Sequence, residues 1–181
     1  KLDMLFLGGG MANTFFVATG VDVRMSLVEA EQVDVARRIL EDARVLGVQV
    51  FLPVDVVAAS AFAADAETKE VAPANVPRGY MILDIGPETV TKFERAIHFA
   101  KTIFWNGPVG RFEQDPGFAG TLSIAKAIAE SDAFSVVGGG DSIAALHRAG
   151  VAEQISHVST GGGASLEYIQ GLELPGLAAL E

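Results

Sequence analysis

The sequence predicts an α/β fold of three layers, a parallel sheet with helices on both faces, and three observations carry that prediction. Five apolar runs of strand length each end in a glycine-bearing turn and pass into a helix-like pattern, the rhythm of βα units. Half of the 181 residues are hydrophobic (50%), enough to bury one substantial core, with a single domain as the default count. Aromatic residues are only 8% while Ala, Val, Leu and Ile abound, which suits short buried strands under small-faced helices better than aromatic-rich hairpins.

The first unit, MLFLGGGMANTF from Met4, reads as a strand turning through Gly8 into a helix. The clearest helix comes next: Ser26 and Glu29 have capping-box spacing, and Leu27, Ala30, Val33, Ile39, Leu40, Ala43 and Leu46 make the buried face, with Gly47 as the stop. A sixth strand, VQVFL at 48–52, follows it. Residues 58–79 mix Asp65, Glu67, Lys69, Glu70, Pro73 and Pro77 without a sustained period and read mainly as a surface excursion. MILDIGPETV from Met81 is a strand passing into a helix that begins at Pro87, a favourable first-turn residue, with Val90, Phe93, Ile97 and Ala100 inward. IFWNGPVGRF from Ile103, a helix over 118–129, FSVVGGGDSIAAL from Phe134 and SHVSTGGGASLEYI from Ser156 complete the order.

A net charge of −10, with Lys and Arg totalling 13, argues against a nucleic-acid partner, whose phosphates require a basic stripe. The chain has no Cys, which excludes disulfides and thiolate metal sites. No apolar run reaches the roughly 18 residues of a membrane span, so no membrane partner is expected. Residue 1 is Lys and residues 2–7 already read as a strand, so the chain is expected to begin inside a longer protein.

Glycine is the informative residue. At a usage of about 7%, a chain this long holds roughly 0.06 Gly-Gly-Gly triplets by chance. Three occur, at Gly8, Gly138 and Gly161, each just after a strand, where parallel connectivity sends loops to the carboxyl edge of the sheet. A glycine turn opening a helix exposes main-chain N–H groups with no Cβ in the way, and the helix dipole adds positive potential, so phosphate is the natural guest. A single triplet is equally a tight turn or a close packing point; three together favour binding. No GxxxxGK[ST] occurs and no triplet continues as GxGxxG. Asp141 follows the second triplet, where its carboxylate is either an Mg²⁺ ligand or a helix cap. Ser142 is equally open on its own.

The strings WNGPVGRFE (105–113), VGGGDS (137–142) and SHVSTGGGASLEYIQGLELPG (156–176), in this order, closely resemble phosphoglycerate kinase. GGGMANTF from Gly8, SLVEAE from Ser26, LPVDVV from Leu52, LDIGPET from Leu83 and AKTIFWNGP from Ala100 extend the resemblance over essentially the whole chain. It implies a Rossmann-like nucleotide-binding, carboxyl-terminal domain spanning 1–181 and truncated at its start, with the amino-terminal substrate domain absent. It further implies that Gly9, Gly10, Leu27, Leu83, Pro108 and Val109 line an adenine pocket and that Glu113 accepts hydrogen bonds from the ribose. Asn106 would approach the phosphates, with Gly107, Gly138, Gly139, Gly161, Gly162 and Ser142 also in the nucleotide site. Asp141 would serve Mg²⁺, and Gly140 and Gly163 would present catalytic backbone amides. Ile82 and Arg111 depart from the family pattern, which often has glycine and an apolar residue there.

The implied reaction is reversible phosphoryl transfer from 1,3-bisphosphoglycerate to MgADP, giving 3-phosphoglycerate and MgATP, a step of glycolysis in the cytoplasm by a monomeric parent enzyme. Its nucleophile is already an anionic oxygen, so positioning and charge stabilisation suffice and none of His98, His147 or His157 is expected to act as a base. The family's active centre also uses an arginine and a basic patch in the preceding domain, and lysines early in the nucleotide domain. None is present here, so the chain alone is expected to bind Mg-nucleotide weakly and to be inactive. Residues 174–180 in this family pack back on the other domain, so their apolar side chains are expected to be exposed. Two other readings use the same residues: a dinucleotide-dependent oxidoreductase, with Glu29 or Glu31 on the ribose, and a noncatalytic phosphate-binding module.

Overall fold

The computed structural model of the chain describes residues 2–111, 119–161 and 163–179. The fold is α/β, with parallel strand pairs and helices on both faces. The chain divides into two compact units, residues 1–96 with 108–124 and residues 97–107 with 125–181.

In the first unit, β1 (Met4–Phe6) pairs in parallel with β2 (Gln49–Phe51), Phe6 opposite Phe51. These two rings stack at 4.6 Å, and Phe93 closes on Phe6 edge-on at 5.1 Å, an arrangement aromatic quadrupoles favour. Helix α1 (Gly9–Ala18) buries Ala12, Phe15 and Phe16 in a core shared with Leu7, Val23, Ala36, Val56, Ala58 and Val76. Helix α2 (Val33–Leu46) ends at Gly47, whose φ of +73° is the left-handed conformation that stops a helix at glycine. Strands β3 (Val56–Ala59), β4 (Thr68–Val71) and β5 (Met81–Ile85) form a sheet in the order β4-β3-β5, antiparallel throughout. Helix α3 (Pro87–His98) begins at Pro87, as expected, and buries Phe93 and Ile97. Helix α4 spans Ala119–Ala129; Phe118, where the sequence put its start, lies outside the described residues.

In the second unit, β6 (Thr102–Asn106), β7 (Phe134–Gly138) and β8 (His157–Ser159) form a parallel sheet. Helix α5 (Gly140–Ala149) follows β7 and buries Ala145 and Leu146 completely. Ser135 and Ser156 exchange hydrogen bonds between their hydroxyls and main-chain N–H groups at 3.1 and 3.0 Å. Helix α6 (Gly163–Ile169) and the one-turn α7 (Pro175–Ala178) are the last elements among the described residues. Of the stretch 174–180, Leu174 is half-buried and Pro175, Ala178 and Ala179 are exposed, while Leu180 lies outside the described residues.

Three expectations are corrected. The excursion at 58–79 is partly a β-hairpin: Ala58 and Ala59 are fully buried in β3, and Lys69 and Glu70 belong to its partner β4. The apolar period was masked because β4 faces outward with charged side chains. The strand at Met81 is antiparallel to β3, not a parallel neighbour, because the hairpin rather than a helical crossover feeds it. Ser26 does not cap a helix: α2 begins only at Val33 after a 3-10 turn at Ala30–Gln32, and of the proposed face Ala43 is buried while Leu27 and Leu46 are 74% and 76% exposed.

Candidate functional site

In the first unit the glycine triplet at 8–10 occupies the turn from β1 into α1, and no side chain caps the helix start. Gly9 adopts φ +57° and donates its N–H to the Val109 carbonyl at 2.7 Å. A Cβ on Gly8 would lie 2.6 Å from Val109 Cβ, so glycine is what permits this approach. The Pro108 carbonyl oxygen lies 3.3 Å from where a Gly9 Cβ would stand, and Leu27 Cδ2 the same distance from that of Gly10. Gly8, Gly9, Gly10, Leu27, Pro108 and Val109 are thus brought together, five of them named for the adenine pocket. Leu83 is buried, and its carbonyl accepts the Arg111 N–H at 2.8 Å.

The two residues that break the family pattern have local roles. The Ile82 N–H donates to the Ser26 hydroxyl at 2.8 Å, and its side chain packs against the core. The Arg111 guanidinium lies over the Phe62 ring, a cation-π contact with the loop joining β3 and β4. Neighbouring Asp84 is 2% exposed and accepts hydrogen bonds from the main-chain N–H groups of Ile85 at 2.8 Å and Gly120 at 2.7 Å. Burial pushes its carboxyl up to about 7, outweighing the two amides, which pull the other way. No motif announced Asp84, because a lone Asp within an apolar strand has no spacing signature.

In the second unit the strand register aligns three carboxyl ends: Asn106 pairs with Gly138, and Gly138 with Ser159. The turn at 138–140, Asn106 and the end of β8 at Ser159, two residues before Gly161, therefore share one sheet edge. Gly139 takes φ +91° as the residue before α5, and the Asn106 amide nitrogen lies only 3.2 Å from where a Gly139 Cβ would sit. Asp141 is exposed in the first turn of α5, a position the helix dipole favours for a carboxylate. Ser142 is fully buried, and its hydroxyl accepts the Gly107 N–H at 2.6 Å, tying the Asn106–Gly107 turn to α5. The Trp105 indole N–H closes the same turn on the Gly107 carbonyl at 2.7 Å. At the third triplet the Ser159 and Ser165 hydroxyls are 2.6 Å apart, and the Ala164 N–H donates to the Gly161 carbonyl at 3.0 Å. Glu113 and Gly162 lie outside the described residues.

Residues 1–172 match the family described as phosphoglycerate kinase. A phosphoglycerate kinase of Herpetosiphon aurantiacus is 52% identical over 180 residues, 99% of this chain and 46% of the relative. The cytosolic phosphoglycerate kinase of Nicotiana tabacum is 50% identical over 184 residues, again 46% of its length. Among solved structures, phosphoglycerate kinase from Coxiella burnetii superposes with a TM-score of 0.93 at 42% identity, over 95% of this chain and 45% of that one. The Pyrococcus horikoshii enzyme gives 0.84 at 37% identity, over 98% of this chain and 45% of that one. The chain spans a little under half the length of the relatives it matches. With the family match, the sequence identities and the superpositions all in agreement, the chain belongs to the phosphoglycerate kinase family.

Proposed function

We propose that this chain carries the Mg-nucleotide site of a phosphoglycerate kinase, which moves the acyl phosphate of 1,3-bisphosphoglycerate onto MgADP and back. The P–O bond to the carboxyl oxygen breaks as one forms to a β-phosphate oxygen of ADP, and no proton is abstracted. Gly9, Gly10, Leu27, Leu83, Pro108 and Val109 of the first unit hold the base, with Glu113 on the ribose. Asn106, Gly107, Gly138, Gly139, Gly140, Asp141, Ser142, Gly161, Gly162 and Gly163 of the second serve the phosphates, Gly140 and Gly163 offering main-chain N–H groups to the transferring oxygens. The observation that carries this reading is the register of Asn106, Gly138 and Ser159, which sets Asn106, the turn at 138–140 and the end of β8 on one edge.

The donor set suits Mg²⁺ held mainly by its nucleotide. Among the described residues no three carboxylate or imidazole groups converge; Asp141 would offer one protein oxygen to an ion that arrives on its nucleotide. When bound, the ion neutralises phosphate charge; the chain's own part is to orient the tail and offer donors. The 3-phosphoglycerate side of the reaction, and the residues that bind it, belong to a partner half. The same reading assigns the parent enzyme to the cytoplasm as a monomer; no helix among the described residues is long and apolar enough to cross a membrane.

Amide chemical-shift mapping tests the assignment. MgADP should move Gly9, Gly10, Leu27 and Val109 together with Gly139, Gly140 and Asp141, whereas Mg-pyrophosphate should move only the latter group. No shifts at either group with millimolar MgADP would overturn it.

A further inference from the structure

Leu27 poses a physical question: a large apolar side chain is 74% exposed, yet the segment bearing it is tied down by buried polar groups. The Asn13 side chain, 2% exposed inside α1, donates its amide to the Leu27 carbonyl at 3.1 Å. One residue along, Thr14 is 3% exposed, and its hydroxyl accepts the Glu29 N–H at 3.1 Å. On the other side of Leu27, the Ser26 hydroxyl donates to the Val23 carbonyl and accepts the Ile82 N–H at 2.8 Å. The chain is gripped before, at and after Leu27, and the side chain left free rests its Cδ2 against the face of Gly10.

Asn13 makes this arrangement costly. Its amide oxygen is buried and finds no hydrogen-bond partner among the described residues. Burying an amide with one end unsatisfied lowers stability, and a leucine of the same branching would avoid the loss. What the asparagine gains is the tie to Leu27. Folding alone gives no reason to hold an apolar side chain in solvent over a glycine helix start; a flat apolar ligand group resting on Leu27 and Gly10 does.

Resting on the proposed function, we infer that Asn13 and Thr14 are positioning residues for the nucleobase, acting through Leu27 by fixing its segment over Gly10. Neither touches the nucleotide. Their effect belongs to the base end of the ligand and requires the Leu27 side chain.

The test is a double-mutant cycle read by MgADP affinity, with Mg-pyrophosphate as the base-free probe. Asn13→Leu and Thr14→Val keep the number and branching of side-chain heavy atoms and each remove one tie. Each should weaken MgADP about three- to tenfold, the usual range for one such hydrogen bond, and leave Mg-pyrophosphate within about twofold. In a Leu27→Ala background either change should alter MgADP affinity by less than about twofold. The inference is overturned if MgADP affinity is unchanged in both variants, if the same loss persists without Leu27, or if pyrophosphate weakens equally. Should Asn13→Leu fail to fold, Thr14→Val decides, with faster hydrogen exchange at the Glu29 amide showing that the tie is cut. A wild-type chain that binds no MgADP would instead sink the proposed function, an outcome separate from variants that bind as the wild type does.

Discussion

The buried carboxyl of Asp84 should leave its mark on how stability varies with pH. Its carboxyl is raised from 3.8 to about 7 by burial, so between those values the folded state holds a proton that the unfolded chain releases. Stability must then fall as pH rises from about 4 to 7, by at most a few kcal/mol. Urea unfolding at pH 4.5 and 7.5 should show this fall in the wild type and a smaller one in Asp84→Asn; equal slopes in both would refute it. Gly120 is bound to the same group: a Cβ there would run into the Asp84 carboxylate, so Gly120→Ala should destabilise by about 1–3 kcal/mol, read from the same unfolding curves. Neither residue stood out in the sequence, because their relation is between a strand and a helix 36 positions apart. The glycine triplets did stand out, since clustered glycines are improbable enough to need a reason. Their individual demands, such as φ +57° at Gly9 and +91° at Gly139, required the structure.

At the scale of elements, α3 has an unusual start. Its cap comes from Asp55, whose carboxylate accepts the N–H groups of Glu88 at 2.9 Å and Thr89 at 2.7 Å and the Thr89 hydroxyl at 2.6 Å. Gly86 is glycine because a Cβ there would overlap the same carboxylate. Asp55→Ala should cost roughly 1–2 kcal/mol, and a change within 0.3 kcal/mol by urea unfolding would show that the cap is idle. Pro87 marked this helix start in the sequence, but a cap supplied from a distant turn leaves no local signature. The reverse holds at Ser26 and Glu29, where capping-box spacing is present but only a 3-10 turn follows and the α-helix starts later, at Val33. There the Ser26 hydroxyl serves Ile82 and the Glu29 N–H serves Thr14, both tertiary partners that a local motif does not reveal. Strands are the most legible elements, short apolar runs most of which close on a glycine turn. The exception is the β3–β4 hairpin, whose outer strand carries Lys69 and Glu70 and therefore no apolar period.

At the scale of the whole molecule, the chain belongs to the phosphoglycerate kinase family. The chain spans 46% of a relative's length, and on the proposed reading it carries the nucleotide-binding part of the reaction. In a coupled assay with 1,3-bisphosphoglycerate and MgADP, the chain alone should give no measurable transfer; robust turnover would mean that the substrate half is dispensable. Binding is the more direct question, because it needs only main-chain donors, an apolar seat and Asp141. Calorimetric titration of MgADP, NADH and inorganic phosphate into the chain and into Asp141→Ala measures it. MgADP alone should give heat of binding, weakened about tenfold or more by the substitution. Tighter binding of NADH, phosphate binding as strong as MgADP, or indifference to Asp141→Ala would contradict it.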